Sequence, residues 1–472
     1  MDYTISLPKE VQQVLQILHQ NEHQAYVVGG CLRDLIMQRT PKDWDVTTNA
    51  LPDEIQKIFP KTLYLNTFGT VTVKIGKAEI EITTYRSEGG YTDHRHPDEV
   101  KFGVSLQEDV ERRDFTINAL AYDGEELVDK FAGILDIDKE LIRAVGDANE
   151  RFQEDALRML RAIRFSSQLG FAIEAETWQA IVKNTELIKH VSQERIRDEI
   201  IKMVSTDDSY KAFWQLHTSG LLAIIIPELE NCVGVEQNLH HIYTVFSHNL
   251  LAMQFCPSDD WQVRLASLFH DIGKPEVKEG SGRDATFYQH EHVSAKIARQ
   301  IMRRMNFSNN DIKRIFHLVK HHMFYYNVGE ITDAGVRRLL QRVGVEHLED
   351  LMAVRIADRM GSGVYKEKPY KLIELEQRIE HVQKDPISTS MLAIDGNELM
   401  KKYGMKPGAK IGVVLHRLLD EVLEDPKRNT AEFLTSRAEA LVDDFKEMSE
   451  SDARAIMKEY RSALADLNAY KD

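Results

Sequence analysis

The sequence predicts an α+β protein with a small N-terminal α/β head followed by a long helical chain. Two segments near the start, FGTVTVKIG and AEIEITTYR, alternate with period two and are rich in valine, isoleucine and threonine, which is typical of a β-hairpin. Before them, the short apolar run AYVV leads into a Gly-Gly pair and a helical pattern. From about residue 105 the hydrophobic periodicity is largely helical to the end.

The elements of the head follow in order. Residues 8–20 carry apolar positions at helical spacing, and AYVV predicts a buried strand. GGCLRDLIMQ predicts a turn into a helix, DWDVTTNA a second strand and LPDEIQKIF a further helix. The hairpin comes next, so we expect a partly antiparallel sheet. Residues 86–102, RSEGGYTDHRHPDEVKF, are polar, contain Gly and Pro, and predict a mobile loop.

Length and composition limit the class of protein. The 472 residues, 43% hydrophobic and 29% charged, suit a soluble globular chain of about two to four domains. Apolar runs such as LLAIIIP are far shorter than the ~20 residues of a membrane span, so no membrane partner is expected. The start, MDYTISLPKEVQQ, lacks the pattern of a secretory signal. Three scattered cysteines argue against a disulfide framework and favour a cytoplasmic location.

The net charge of −15 argues weakly against a nucleic-acid partner. The charge is uneven, however, because LRMLRAIRF is basic whereas VDDFKEMSESDARA is acidic. A local basic face can coexist with a negative total, so net charge does not exclude RNA binding.

Paired carboxylates form the first candidate site. Residues two apart in a strand share a face, so Asp43 and Asp45 are expected to project together. Glu79 and Glu81 make a second acidic pair on a strand expected nearby. Such an oxygen cage suits Mg²⁺, which supports phosphoryl or nucleotidyl transfer.

A Gly-Gly turn precedes these acids. Gly29 and Gly30 lack a Cβ, so their backbone N–H groups could approach a triphosphate, and Arg33 in the following helix could pair with phosphate. No Lys-Ser/Thr follows, which argues against a P-loop enzyme. A lone Asp-x-Asp is more often a surface feature, but the ordered combination of strand, Gly-Gly, Arg and acids favours an active site.

Four blocks of sequence carry a family resemblance. VVGGCLRDLIMQRTPKDWDV resembles the signature of the class II tRNA nucleotidyltransferases and of the related bacterial poly(A) polymerases, in the superfamily that includes DNA polymerase β. Three later blocks are similar to further motifs of that family: RRDFTINALAYD at 112–123, EDALRMLRAIRFSSQLGF at 154–171 and ERIRDEI at 194–200. The resemblance implies a polymerase-β-like head.

The second candidate site lies in EDALRMLRAIRF. Arg158, Arg161 and Arg164 recur every three residues and share a broad helix face, with Asp155 three residues before the first. Taken alone, the pattern favours a solvated basic face with a weak Asp155–Arg158 pair. The resemblance implies instead that Asp155 and Arg158 recognise the Watson–Crick edge of CTP or ATP. Cytosine and adenine both carry an exocyclic amine that can donate a hydrogen bond to a carboxylate.

Other roles come from the resemblance alone. It implies that Arg113 holds the triphosphate, that Asp114 and Asn118 shape the site, and that the remaining arginines contact the nucleotide. It also implies that the 86–102 loop switches the enzyme from C to A addition. The loop keeps the family pattern of Arg86, Tyr91, Asp93, Arg95 and Pro97, which favours full CCA addition.

Histidines and aspartates in the middle of the chain form the third candidate site. Their order resembles the metal set of the HD superfamily, which implies ligands at His248, His270, Asp271 and Asp358. The same resemblance implies further ligands at His292 and at one of the pair His321 and His322, of which we take His321. Isolated histidines are usually structural, but the segment LASLFHDIGKP matches the family closely. Imidazole with carboxylate suits a divalent transition metal, which can activate water for phosphoester hydrolysis.

The domains are expected as head 1–140, neck 141–225, HD domain 226–370 and a helical, tRNA-binding tail 371–472. We predict template-independent addition of CCA to tRNA 3′ ends from CTP and ATP, with release of pyrophosphate. Asp43 and Asp45 would hold Mg²⁺, with Glu81 as third carboxylate. Alternatives are CC-only or A-only addition, a poly(A) polymerase, or an HD phosphohydrolase with an RNA-binding head. Oligomeric state is left open.

Overall fold

The computed structural model describes residues 5–64, 69–89, 99–238, 242–324, 331–363 and 370–464. Its internal contacts divide the chain into two compact units, Met1–Glu230 and Asn231–Asp472. The finer division into head, neck, HD domain and tail stays a prediction.

The first unit contains a seven-stranded sheet and two short two-stranded ribbons. The strands are β1 Ala25–Val28, β2 Asp45–Thr48, β3 Thr62–Tyr64, β4 Thr70–Ile75, β5 Ala78–Thr84, β6 Arg86–Gly89, β7 Glu99–Phe102, β8 Leu120–Tyr122, β9 Leu127–Asp129, β10 Leu141–Ile142 and β11 Ala172–Ile173. The large sheet has the order β3-β4-β5-β2-β1-β8-β9. Strand β2 lies at its centre, parallel to β5 and antiparallel to β1.

The helices of the first unit alternate with these strands and then take over. They are α1 Lys9–Gln20, α2 Gly30–Ile36, α3 Pro52–Ile58, α4 Leu106–Glu111, α5 Gly133–Asp138, α6 Ala148–Glu154, α7 Leu157–Leu169, α8 Ala175–Asn184, α9 Gln193–Val204, α10 Ser209–Ser219, α11 Leu221–Ile225 and α12 Pro227–Glu230. Helix α1 buries an apolar stripe at helical spacing, Val11, Val14, Leu15 and Leu18.

The α+β class and the β4–β5 hairpin are confirmed. The chain after residue 105 is largely helical, as expected, although β8 and β9 extend the large sheet beside β1. These strands have only three residues each, too few to show a period-two pattern.

The expected loop at 86–102 begins and ends as an antiparallel ribbon, in which Arg86 pairs with Phe102. The ribbon brings the ends of the segment together. Tyr91, Asp93, Arg95 and Pro97 lie outside the described residues.

The second unit is helical throughout its described part. Its helices are α13 Val245–Gln254, α14 Trp261–Phe269, α15 Lys274–Val277, α16 His290–Arg304, α17 Asn309–His321, α18 Asp333–Val343, α19 Leu348–Gly361, α20 Tyr370–Val382, α21 Gly396–Tyr403, α22 Ala409–Glu424, α23 Ala431–Asp444 and α24 Glu450–Leu464. Leucine and valine side chains of α21, α22 and α23 form a buried cluster near the end of the chain. Within the described ranges, no helix combines the length and apolarity that crossing a membrane requires.

Candidate active site and metal centre

The first unit contains a cavity of about 690 Å³, a volume in the range of small-molecule sites. Its lining includes every head and neck residue predicted for nucleotide or metal binding except Glu81: Gly29, Gly30, Arg33, Asp43, Asp45, Arg113, Asp114, Asn118, Asp155, Arg158, Arg161 and Arg164. Residues that are more than a hundred positions apart in the sequence therefore line the same cavity. The sequence patterns that appeared as separate candidate sites belong to a single site.

The acidic end of the cavity is organised by the β2–β5 pairing. Asp45 and Glu81 stand opposite each other in parallel register, and the Glu81 N–H donates to the Trp44 carbonyl at 2.9 Å. Burial raises the pKa of Asp45; Arg113 lowers it, and the negative charges of Glu81 and Asp43 raise it further. The three carboxylates therefore lie close together with an excess of negative charge, a donor set that a divalent cation neutralises.

The strand rule used for Asp43 and Asp45 was wrong in detail. Strand β2 begins only at Asp45, so Asp43 lies in a bend before it and the two do not share a strand face. Trp44 is half-buried rather than part of the core. The bend nevertheless leaves both aspartates on the cavity.

Gly29 occupies a backbone conformation that other residues avoid, with φ 76° and ψ −146° just before α2. A Cβ there would also lie 3.3 Å from the Arg113 Nη1 and 3.3 Å from the Asp45 Oδ2. At Gly30 a Cβ would meet only Arg33, at an ordinary 3.5 Å. Of the two glycines, Gly29 is thus the one that the site requires.

We expect Gly29→Ala to lower the free energy of unfolding by about 1–3 kcal/mol, because alanine is strained in this backbone region. Gly30→Ala, the matched control, should leave stability unchanged or slightly higher, since residue 30 begins a helix. Urea unfolding of both variants measures the difference. Equal destabilisation by the two changes would contradict the assignment.

The cations of the head differ in how firmly they are held. Arg113 lies beside Gly29, and its Nη2 is 3.4 Å from the buried carboxylate of Asp109. Arg33 is almost fully buried; it donates to Asp34 at 2.7 Å and to the Asn118 Oδ1 at 2.8 Å. Both arginines line the cavity, and phosphate binding by either one stays a prediction.

Asp114 and Asn118 line the cavity, and Asp114 connects to α7 through Arg161. The Asp114 carboxylate accepts from Arg161 at 2.8 Å and from the Asn118 amide at 3.2 Å. Burial alone would raise the pKa of Asp114, but Arg161, Asn118 and Arg158 together outweigh it and lower the pKa to about 2. Asp114 is thus a permanent anion that fixes Arg161, consistent with a shaping role.

The predicted nucleotide-selecting helix is broken. Helix α6 ends at Glu154, Asp155 is extended with φ −143° and ψ 103°, and α7 starts at Leu157. Asp155 and Arg158 therefore do not pair as helix neighbours, which corrects the expected (i, i+3) geometry. Arg158 instead binds the Glu154 carboxylate at 2.5 Å, and Asp155 binds Arg195 at 2.7 Å.

Each arginine of α7 has a different carboxylate partner. Arg158 pairs with Glu154, Arg161 with Asp114, and Arg164 with Glu199 at 2.6 Å. Arg164 also lies over the Phe165 ring, 4.0 Å from its centroid. These guanidiniums are held in fixed positions around the cavity.

Cys31 lines the same cavity, but its thiol is not reactive. It is buried and donates to the Val28 carbonyl at 3.1 Å, and burial raises its pKa to about 12. At pH 8 only about one thiol in ten thousand would be ionised.

We therefore expect iodoacetamide at pH 8 to leave Cys31 unmodified in the folded protein and to modify it after denaturation. Mass spectrometry of peptides measures this, with nucleotide incorporation assayed in parallel. Rapid alkylation of Cys31 with loss of activity would contradict its burial.

The second unit gathers the HD candidates in one buried cluster. The His248 Nε2 lies 3.0 Å from the His270 Nε2, 3.2 Å from the Asp271 Oδ2 and 3.3 Å from the Asp358 Oδ1. The buried Lys274 ammonium lies 2.5 Å from the Asp271 Oδ2. All four predicted ligands thus converge on one point.

The other oxygen of Asp271 faces a second pair of histidines. His290 Nε2 lies 3.0 Å and His322 Nε2 3.7 Å from the Asp271 Oδ1. Despite these short distances, none of the three buried atoms makes a hydrogen bond of suitable geometry to a described residue. The structure brings His290 and His322 to the cluster, and not His292 and His321. His292 is half exposed beside Glu291, and the His321 ring lies against His317 with the centroids 4.6 Å apart.

The donor atoms of this cluster suit a bound cation, which would displace the proton of His270. Burial would lower the pKa of His270, but Asp271 and Asp358 outweigh it and raise the pKa to about 10. Burial would likewise raise the pKa of Asp271, but His270 and Lys274 hold it well below its usual range. The anionic carboxylates, the imidazoles and the unpartnered ring nitrogens fit a divalent metal.

Arg195, His290 and Lys274 were not predicted as site residues, and His322 was one of two alternatives left open with His321. Their signals were present in ERIRDEI, QHEHV, VKHHM and HDIGKP. The sequence patterns do not show how each helix is rotated about its axis, and so which of its residues face the site.

Comparisons with known proteins agree with this geometry. Residues 25–143 match the family model of the poly A polymerase head domain, 170–233 the probable RNA and SrmB-binding site of polymerase A, and 233–361 the HD domain. The chain is 36% identical over 432 residues to a CCA-adding enzyme of Lactobacillus helveticus, covering 91% of this chain and 96% of that protein. It is 50% identical over 222 residues to a CCA-adding enzyme of Lactobacillus gasseri, covering 46% and 54%.

A solved structure shows the same architecture. The crystal structure of a Bacillus stearothermophilus CCA-adding enzyme in complex with CTP superposes with a TM-score of 0.69 at 27% identity, covering 92% of this chain and 98% of that one. Because a relative above 30% identity spans nearly the whole length, this chain belongs to the family of CCA-adding enzymes.

Proposed function

We propose that this chain adds the sequence CCA to tRNA 3′ ends, using CTP and ATP without a nucleic-acid template. The observation that carries the proposal is the single cavity, with a carboxylate cluster at one end and the Asp155–Arg158 pair in the same lining. Support comes from relatives named CCA-adding enzymes and from a structural neighbour in complex with CTP.

The reaction is a nucleotidyl transfer. The 3′-hydroxyl oxygen of the tRNA forms a bond to the α-phosphorus of the nucleotide and gives up its proton to water, while the bond to the bridging oxygen breaks and pyrophosphate leaves. Arg113 would bind the triphosphate, and the absence of a side chain at Gly29 lets the phosphates approach the backbone. Asp114 would hold Arg161 in place in the cavity lining.

Asp43, Asp45 and Glu81 would hold Mg²⁺. When bound, the ion polarises the phosphate oxygens and supports both the attacking and the leaving oxygen. The donor set is all carboxylate, which matches the preference of Mg²⁺ for hard oxygen ligands.

Base choice would come from Asp155 and Arg158. The carboxylate accepts from the amine that C and A share, and the guanidinium donates to ring nitrogen or carbonyl. U and G present a carbonyl where the amine should be, which a carboxylate repels.

Three tRNA substrates test the proposal: one lacking CCA, one lacking CA and one lacking the terminal A. Each is incubated with labelled CTP or ATP alone. We expect two C additions to the first, one C to the second, and A only to the third. Addition of C alone would favour a CC-only enzyme, A alone an A-only enzyme, and long A runs a poly(A) polymerase. We infer a cytoplasmic location, where tRNA is matured.

A second activity is favoured by the HD cluster. We propose a metal-dependent phosphohydrolase site held by His248, His270, Asp271 and Asp358, with His290 and His322 on the second Asp271 oxygen. When bound, divalent ions polarise a phosphate and lower the pKa of water. Lys274 would help to bind a phosphate oxygen from beside Asp271. The substrate class is a phosphate or 2′,3′-cyclic phosphate at a damaged RNA end.

RNA with a 2′,3′-cyclic phosphate end, incubated with Mn²⁺, Ni²⁺ or Mg²⁺, tests this second activity. We expect hydrolysis that Asp271→Asn removes and that Asp45→Asn leaves unchanged. If the cluster only stabilises the fold, no metal will support hydrolysis, and Asp271→Asn will change stability alone.

A further inference from the structure

Arg195 on α9 holds Asp155 with both arms of its guanidinium. The Nη1 lies 3.2 Å from the Asp155 Oδ1 and the Nη2 lies 2.7 Å from the Oδ2. This is the bidentate geometry in which an arginine fixes the plane of a carboxylate, not only its charge. Arg195 also lines the cavity that holds the other nucleotide-site residues.

Asp155 needs such a support because the helix does not provide one. It lies in extended backbone between α6 and α7, where no regular turn constrains its side chain. The Leu157 N–H donates to its Oδ1 at 3.1 Å. A carboxylate offers about four lone-pair sites. Arg195 and Leu157 take three of them, so the free acceptor site belongs to Oδ2.

Arg158, the partner of Asp155 in base recognition, has a separate support. It donates to the Glu154 carboxylate at 2.5 Å and to the carbonyls of Arg151 at 3.1 Å and Arg112 at 3.0 Å. The two recognition groups are therefore kept apart, each fixed by its own partners. Without Arg195, Asp155 would be free to turn toward the guanidinium three residues away.

We propose that Arg195 is a positioning residue for base selection, which rests on the proposed function of Asp155. By fixing the carboxylate plane it leaves one acceptor oxygen for the exocyclic amine of C or A. The residue acts on which base is accepted and not on phosphoryl chemistry, because its contacts are to Asp155 and not to the acidic cluster. Loss of the Arg195–Asp155 contact should therefore reduce discrimination between bases more than it slows nucleotidyl transfer.

Two other roles make different predictions. A brace that only joins α9 to the α6–α7 junction would affect stability and leave the choice of base unchanged. A direct phosphate contact would weaken CTP and UTP binding equally, since both carry the same triphosphate.

The test measures kcat and KM for CTP and for UTP on tRNA lacking CCA, with wild type, Arg195→Ala, Arg195→Lys and Asp155→Ala. Arg197→Ala is the matched control, because Arg197 lies on the same helix but pairs with Asp198 at 2.8 Å. We expect Arg195→Ala to lower the CTP/UTP ratio of kcat/KM by about tenfold or more, the scale of one base-specific contact. Arg195→Lys should keep part of the ratio that Arg195→Ala loses, because lysine retains the positive charge but cannot donate two parallel hydrogen bonds to the carboxylate. Arg197→Ala should leave it unchanged.

An unchanged ratio in Arg195→Ala with a lowered melting temperature would overturn the inference, as would an equal rise of KM for CTP and UTP. If Asp155→Ala also left the ratio unchanged, the base-recognition role of Asp155 would fail together with the inference. If only the Arg195 variants kept full discrimination, the inference alone would fail. Arg195→Gln, judged by the same ratio, replaces Arg195→Ala should the alanine variant not fold.

Discussion

Asp45→Asn is expected to lower incorporation of both CTP and ATP by about a thousandfold or more, because a lost Mg²⁺ ligand removes several kcal/mol of transition-state stabilisation. The same change should not destabilise the fold. Burial and the neighbouring acids raise the pKa of Asp45, so its ionised form is unfavourable in the folded protein. A neutral amide of the same size relieves that cost. Single-turnover incorporation and thermal unfolding measure the two effects.

Asp43→Asn, alone and combined with Asp45→Asn, extends this test. The double variant should be no slower than the slower single variant by more than about tenfold, because residues that act as one unit are not additive. Retained CCA synthesis in the double variant would contradict the metal-ligand assignment. A lowered melting temperature together with lost activity would make misfolding the simpler explanation and would also count against the metal-ligand assignment.

Glu81→Gln should produce the second large effect, a loss of about a hundredfold in kcat. Glu81 stands in register with Asp45 on the neighbouring strand. Glu79 is its matched control, since it lies two residues earlier on β5 and its carboxylate pairs at 3.2 Å with the exposed Lys74 of β4. Glu79→Gln should change kcat less than about twofold, as for an exposed ion pair. Similar losses in both variants would show that the assay reports strand stability and not catalysis.

The head was predictable because its patterns are local. AYVV, Gly29 and the β4–β5 hairpin each follow from period, turn chemistry or apolar runs within a few residues. Neighbouring strands then fix the register of Asp45 with Glu81. Glu81 was preferred to Glu79 on family resemblance, and the parallel pairing gives that preference a physical basis.

The neck region was less predictable because its helix break has only a weak local signal. EDALR contains neither Gly nor Pro, and its one boundary signal is Asp155, a residue type that caps helix N-termini but also occurs within helices. The partner of Asp155 is Arg195, which lies forty residues later in the sequence. Only the packing of α9 beside α7 brings that arginine to the carboxylate.

The HD histidines show a third limit. His290 and His292 are about 200° apart on a helix, so one of the two can face the cluster. His321 and His322 are adjacent, and the same argument applies. The sequence names both members of each pair, but the rotation of α16 and α17 about their axes decides which one lies near Asp271.

If protein side chains alone select the bases, addition should follow the order C, C, A and end there. This is tested by supplying tRNA lacking CCA with all four nucleoside triphosphates at equal concentration and sequencing the 3′ ends of the products. We expect ends of CCA with no further addition and with U and G rare. Ends of CC alone, runs of A, or frequent U and G in the wild-type products would contradict this expectation.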